Sequence, residues 1–201
     1  MPQIQKEAVR NEIIDKALLL FAKKGYDESS IADVAKAAGT SVGNVYRYFK
    51  SKEEILNEII TSPFIANIRK EIFTKIGAGK SDTIHEQSQN KDYLDYSEQF
   101  FKSMIENRLK LIVLMSCTKS EEGKLFRKEL IDYLVQTFLI QFVKEERIEA
   151  LRPIITLLYQ GFIRLYLDIL SKDEEEETYL CELKQLTKYH ILGLASIVEN
   201  D

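Results

Sequence analysis

With 201 residues, 45% hydrophobic and 30% charged, the chain is long enough to bury a core and too apolar for global disorder. A formal net charge of −4 excludes a globally basic nucleic-acid binder, so any such role requires a local basic patch. The N-terminus lacks the apolar core of a signal peptide, no apolar stretch reads as a transmembrane span, and Cys117 and Cys181 stand far apart. These features predict a cytoplasmic protein with reduced thiols.

Only 8 Gly and 3 Pro interrupt a chain dominated by Leu, Ile, Glu and Lys, a composition that favours helices. Ile14, Ala17, Leu18 and Phe21 share one helical face, and Lys23, Lys24 and Gly25 form a helix stop. Ser30 with Asp33 opens a short alanine-rich helix, Ile31 to Ala38, that ends at Gly39. A third helix starts near Thr40 or Ser41 and runs to about Phe49. Ser51 to Glu54 reads as a capping box for the next helix, which carries Ile55, Leu56, Ile59 and Ile60. Pro63 either kinks that helix or, with Ser62 as N-cap, begins another running to Ile76.

The polar stretch from Gly77 to Asn90, with His85, reads as a loop. Helical pattern resumes at Asp92, with breaks expected near Arg108, Lys119 to Gly123, Ala150 to Pro153 and Lys172 to Glu177. No strand-like alternation persists, so the fold class is all-α.

Three short helices in succession, with a glycine turn between the second and third, outline a helix-turn-helix. Small Ala32, Ala35, Ala37 and Ala38 allow the second helix close approach, and Val45 and Phe49 bury one side of the third. The other side would present Ser41, Val42, Gly43, Asn44, Tyr46 and Arg47 to a major groove. Asn44 can pair with a base edge, Val42 can touch a thymine methyl, and Gly43 lets backbone approach DNA. Between Ser29 and Lys52 the bases Lys36, Arg47, Lys50 and Lys52 face a single acid, Asp33, which supplies the local patch.

The run from Gly39 to Lys52, together with Ala17, Phe21, Gly25, Tyr26, Ser30, Ile31, Val34 and Ala35, resembles the signature of TetR-family regulators over residues 10–60. The resemblance implies DNA contacts from Ser30, Ser41, Gly43, Tyr46 and Lys52, and it places Arg47 and Tyr48 where members carry mixed aromatic and His residues. Val42 departs from the Lys common at its position, which implies an operator preference of its own. The resemblance also implies an N-terminal DNA-binding domain, residues 1–52, and a larger helical ligand-binding and dimerisation domain, residues 53–201.

Within the second domain, Phe100, Met104, Met115, Phe126 and Tyr133 are large, pliable side chains that fit either plain core or a pocket for a small apolar or amphipathic inducer. Ile154 to Leu170 is apolar nearly all round, and the last helix carries an apolar stripe. Phe162, Tyr166, Leu183, Leu186, His190 and Leu194 are the expected homodimer interface. Arg164 reads as an intrahelical partner of Asp168.

The expected partners are therefore an operator in double-stranded DNA, a second copy of the chain and a small ligand, with no membrane partner. No nucleophile elbow, phosphate loop or metal-ligand spacing is present, so neither an enzyme nor a cofactor or metal is expected. A dimeric repressor released by an inducer is the leading expectation. A helical protein-interaction adaptor with a vestigial head is the alternative.

Overall fold

The computed structural model describes residues 3–78 and 91–198, and side chains within 6–77 and 98–198. Among the described residues no strand occurs, as the composition predicts. The stretch 79–90, with His85, lies outside them. The chain divides into two compact units, Met1–Ala66 with Leu109–Lys124 and Asn67–Arg108 with Leu125–Asp201.

The first unit opens with α1, Gln3–Lys24, ending in Lys23 and Lys24 before Gly25 at φ +93. Gly25 donates its N–H to Phe21 O, so the stop read from the sequence is a true left-handed cap. Ser30 caps α2, Ile31–Ala37, and the Asp33 carboxylate returns to the Ser30 N–H at 2.8 Å, closing a capping box. α2 ends in a Schellman turn: Gly39 N bonds Lys36 O, Thr40 N bonds Ala35 O, and Gly39 takes φ +61.

Ser41 then caps α3, Val42–Tyr46, and Ser51 caps α4, Lys52–Ile59. α3 is shorter than the sequence pattern suggests, because its backbone bonds tighten into three-residue turns at Arg47 and Tyr48. Thr61, not Ser62, caps α5, Ser62–Ala78: its hydroxyl accepts from Phe64 N and its carbonyl from Ile65 N. Pro63 thus sits in the first turn, where its missing N–H goes unneeded.

α1 packs on α2 and α4, and α2 packs on α3. Ile13, Ala17, Phe21, Val34, Val45, Phe49 and Ile55 are all essentially shielded from solvent. The unit also includes most of α7, Arg108–Ser116. Just beyond α7, Thr118 donates its backbone N–H and hydroxyl to Asp27 Oδ2 in the loop between α1 and α2.

The second unit holds α6, Lys91–Glu106; most of α8, Glu121–Phe142; α9, Ile148–Leu170; and α10, Glu176–Val198. Its core joins Val135, Phe138 and Leu139 of α8 to Ile155 and Tyr159 of α9 and Leu194 and Ala195 of α10. Pro153 lies inside α9, and the chain breaks earlier, at Val143 to Arg147, than its position suggests. The bond that Pro153 cannot make would end on the carbonyl of exposed Glu149, where water can replace it.

Two further expectations are corrected. Arg164 and Asp168 are both exposed, and no ion pair joins them among the described residues. By length and composition alone, Glu145–Leu170 is apolar enough to cross a membrane, contrary to the sequence reading. The physical reason is that one side of this helix serves the core through Ile155 and Tyr159 while the other exposes Leu157 and Leu165.

His190 of α10 stacks on Phe162 of α9 at 4.3 Å and meets the edge of Tyr159 at 4.8 Å. Its Nε2 is buried without a partner among the described residues, and burial draws its pKa down to about 4. The folded chain thus holds His190 neutral where the unfolded chain protonates it, so stability falls as pH drops from the unfolded value near 6.5 through about 4. Urea denaturation of wild type and His190→Phe at pH 7 and pH 4 checks this. The wild type should lose on the order of 2–3 kcal/mol more than the variant across that interval; equal losses would remove His190 from the acid response.

Candidate nucleic-acid interface

The turn between α2 and α3 fixes which side of α3 faces outward. The Gly39 cap reverses the chain, and Ser41 Oγ accepts the Asn44 N–H at 3.1 Å to start the next helix. Val45 and Phe49 then point inward, at 0% and 1% exposure. Arg10 of α1 lies over the Phe49 ring at 5.1 Å and pairs with Glu58 of α4 at 2.5 Å, so three elements meet at this one side chain.

The opposite side is open. Ser41, Val42, Gly43, Tyr46 and Arg47 are exposed, Asn44 and Tyr48 half-buried. Exposed Lys36 and Lys50 belong to the same compact unit. A Cβ added at Gly43 would meet nothing within 4 Å, so no internal packing in the free chain demands a glycine there. Asn44 is held by a bond absent from the sequence reading: Nδ2 donates to Thr40 Oγ1 at 2.8 Å. The four-residue spacing between Thr40 and Asn44 was the available signal. This bond orients the amide while leaving its oxygen and second N–H for another partner.

Ser30 and Lys52 have structural employment. The Ser30 hydroxyl and N–H, together with Lys24 Nζ, all donate to Asp33 Oδ2. The Ser30 bonds foremost, then Lys24, hold the Asp33 carboxyl well below the usual carboxylate range. Lys52 Nζ donates to the carbonyls of Tyr26 and Ser29, both at 2.6 Å, and sits 4.1 Å from the Tyr26 ring centroid. Burial lowers its pKa, with nearby Lys119 adding to the effect. Glu54 accepts from Lys50 N at 2.5 Å while its own N–H reaches Ser51 Oγ, so this acid belongs to the α4 cap.

The remaining expected residues lie elsewhere. Met115 is in the first unit; Phe100, Met104, Phe126 and Tyr133 are in the second. Met104 and Phe126 are fully enclosed, at 2% and 1% exposure, whereas Tyr133 lines a cleft with Phe73. On α9 and α10, Phe162, Tyr166, Leu186 and His190 are half-buried, while Leu183 and Leu194 are filled around by their own chain. Sequence reading passed over Arg10, Asp27 and Thr118. The last two are 91 residues apart and carry no local signal.

Replacing Lys52 by Met should strand two carbonyls and lower the unfolding free energy by roughly 1.5–3 kcal/mol in urea. Lys50→Met, at an exposed site, should stay within about 0.5 kcal/mol. Equal effects would show that the Lys52 bonds contribute nothing to stability.

Residues 13–59 match the family described as bacterial regulatory proteins, tetR family. The fatty acid metabolism regulator protein of Bacillus subtilis (strain 168) is 36% identical over 77 residues, 37% of this chain and 40% of that protein. The HTH-type transcriptional regulator AcrR of Shigella flexneri is 38% identical over 55 residues, and this chain covers 26% of its length. The chain thus spans less than half of either relative. A longer alignment reaches the Probable HTH-type transcriptional regulator YttP of Bacillus subtilis (strain 168), 24% identical across 89% of this chain and 83% of that one. A crystal structure of a TetR-family transcriptional regulator from Bordetella parapertussis 12822 superposes with a TM-score of 0.58 at 23% identity, covering 89% of this chain and 93% of the other, a likeness of fold. Over residues 13–59, then, the chain is similar to the bacterial regulatory proteins of the tetR family.

Proposed function

We propose that this chain is a dimeric repressor that binds a palindromic operator and releases it when a small ligand binds. The observation that carries the reading is the two-sided third helix. Val45 and Phe49 anchor α3 from within, while Ser41, Val42, Gly43, Tyr46 and Arg47 are left outward with Lys36 and Lys50 in the same unit. Such a helix suits a major groove, with Asn44 reading a base edge and Arg47 and Lys50 taking phosphates. Ser30, Tyr48 and Lys52 support the surface from its flanks.

Residues 1–52 then form the DNA-binding domain and residues 53–201 the ligand-binding and dimerisation domain, working in the cytoplasm with no catalytic step. The exposed apolar residues Ile154, Leu157 and Leu165 of α9 and Tyr189 and Leu192 of α10 support a second copy as partner. They extend the half-buried set Phe162, Tyr166, Leu186 and His190 into a surface that two-fold symmetry would pair with itself. A dimer would present two heads to successive major-groove faces roughly 34 Å apart. A ligand favouring a differently spaced pair of heads would shift the population off DNA.

Selection of bound sequences from random duplex DNA tests the reading. A palindrome enriched by the wild type and lost by Asn44→Ala is the expected result. No enrichment, with binding no stronger than that of a charge-matched control, would favour a protein-interaction adaptor.

On the selected operator, Arg47→Ala should cost roughly 1–3 kcal/mol of binding and flatten the salt dependence. Gly43→Ala should leave the fold as stable or more so, since Ala is the better helix former by about 1 kcal/mol, yet weaken operator binding. Unchanged affinity in either variant takes that residue off the contact surface. Leu165→Glu should give a monomer in analytical ultracentrifugation, and a persistent dimer would place the interface elsewhere.

A further inference from the structure

A cleft of about 670 Å³ opens within the second unit between α5, α8 and α9, of a size that suits a small organic molecule. Phe73 of α5 and Tyr133 of α8 form one wall, their rings stacked at 4.3 Å with 18° between planes. Among the described residues the Tyr133 hydroxyl reaches only the Phe73 carbonyl, at 3.5 Å, a long bond that leaves most of its hydrogen-bonding capacity unused. An apolar, flat surface with a polar tip is therefore available to a ring placed against it.

Two guanidiniums share the lining, and neither is fully engaged. Arg69 binds Glu129 through Nη2 at 2.7 Å, but its Nε is buried and meets no acceptor among the described residues. Arg152 donates to Gln136 at 3.2 Å and stands 3.6 Å from Glu149, whose side chain is 87% exposed. Its N–H groups are loosely held. Against them stands Asp132, at the same cleft, while the charge of Glu129 is already matched by Arg69. Five N–H donors in a planar fork match a carboxylate far better than they match any neutral group.

We propose that this cleft binds a flat, apolar monocarboxylate, its ring system against Phe73 and Tyr133 and its carboxylate on Arg152, with Arg69 as the second donor. Of the five side chains suggested by the sequence for a ligand pocket, Tyr133 alone lines this cleft. Occupancy would tie α5 to α8 and α9 through one molecule. The regulatory meaning of the site rests on the ligand-released repressor reading, whereas the binding itself does not.

The test uses the full chain and three fluorescent probes with the same ring body: 2-naphthoate, 2-naphthol and 2-naphthylmethylammonium. The carboxylate should bind at least ten-fold more tightly than the alcohol or the cation. Arg152→Gln should bring 2-naphthoate down to the affinity of 2-naphthol and leave 2-naphthol unchanged. Thr156→Phe, which fills the cleft from α9, should abolish binding of all three while the circular dichroism melt stays cooperative. Preference for the cation would assign the site to Asp132 and Glu129 and overturn the proposal. So would 2-naphthoate binding that ignores Arg152→Gln, or no binding by any probe. Adding 2-naphthoate to the complex with the selected operator separates the two readings: bound ligand with DNA still held keeps the site and removes the inducer role.

Discussion

The burial of Phe49 is the constraint on which the proposed DNA-reading surface depends. Its ring is 1% exposed, capped by the Arg10 guanidinium, and Arg10 is itself drawn to Glu58. A five-residue helix has almost no stability of its own, since nucleation alone outweighs so few backbone bonds. Val45 and Phe49 supply what propensity cannot, and by pinning one side of α3 they decide that Ser41, Val42, Gly43, Tyr46 and Arg47 must face out. Side chains contributed by α1 and α4 thus orient a helix too short to orient itself.

Around that anchor the loops are closed by hydrogen bonds rather than by apolar packing. The left-handed Gly25 and Gly39, the Ser30–Asp33 box and the Ser51 cap satisfy helix ends that would otherwise face water unpaired. Lys52 and Asp27 do the same for the loop between α1 and α2, one from α4 and the other toward Thr118. Polar groups hold the positions of the head's helices, and this leaves the outer surface of α3 free of internal duties. In the second unit the Tyr179 hydroxyl likewise closes the turn between α9 and α10 on Lys172 O, while His190 Nε2, Thr187 Oγ1 and Tyr166 Oη are buried without a partner among the described residues, at a cost in stability.

The candidate site was legible to different depths in its different parts. Gly39, Ser41, Val45, Phe49 and Ser51 could be placed because caps, glycine turns and helical spacing are local, each signal lying within four residues of its partner. The bond from Asn44 to Thr40 has the same range and could have been read. Lys52 could be placed at the start of α4 but not turned toward Tyr26 and Ser29, because that choice depends on carbonyls more than twenty residues away. Thr118 was beyond reach for the same reason, and more so.

For the sequence alone, then, the all-α class, the order of the first four helices and the inward side of α3 were determined, because backbone propensity and capping act over one or two turns. Tertiary structure decided which of several equivalent apolar residues are inside. On α9 and α10 apolar residues fall on more than one side, so periodicity cannot distinguish Leu183 and Leu194, which the chain encloses, from Leu157, Leu165, Tyr189 and Leu192, which it leaves exposed. It also decided that Met104 and Phe126 fill space while Tyr133, stacked on Phe73, lines a cleft. Such distinctions arise only when helices distant in sequence close on one another, since a cavity is a property of the walls together and of no one of them.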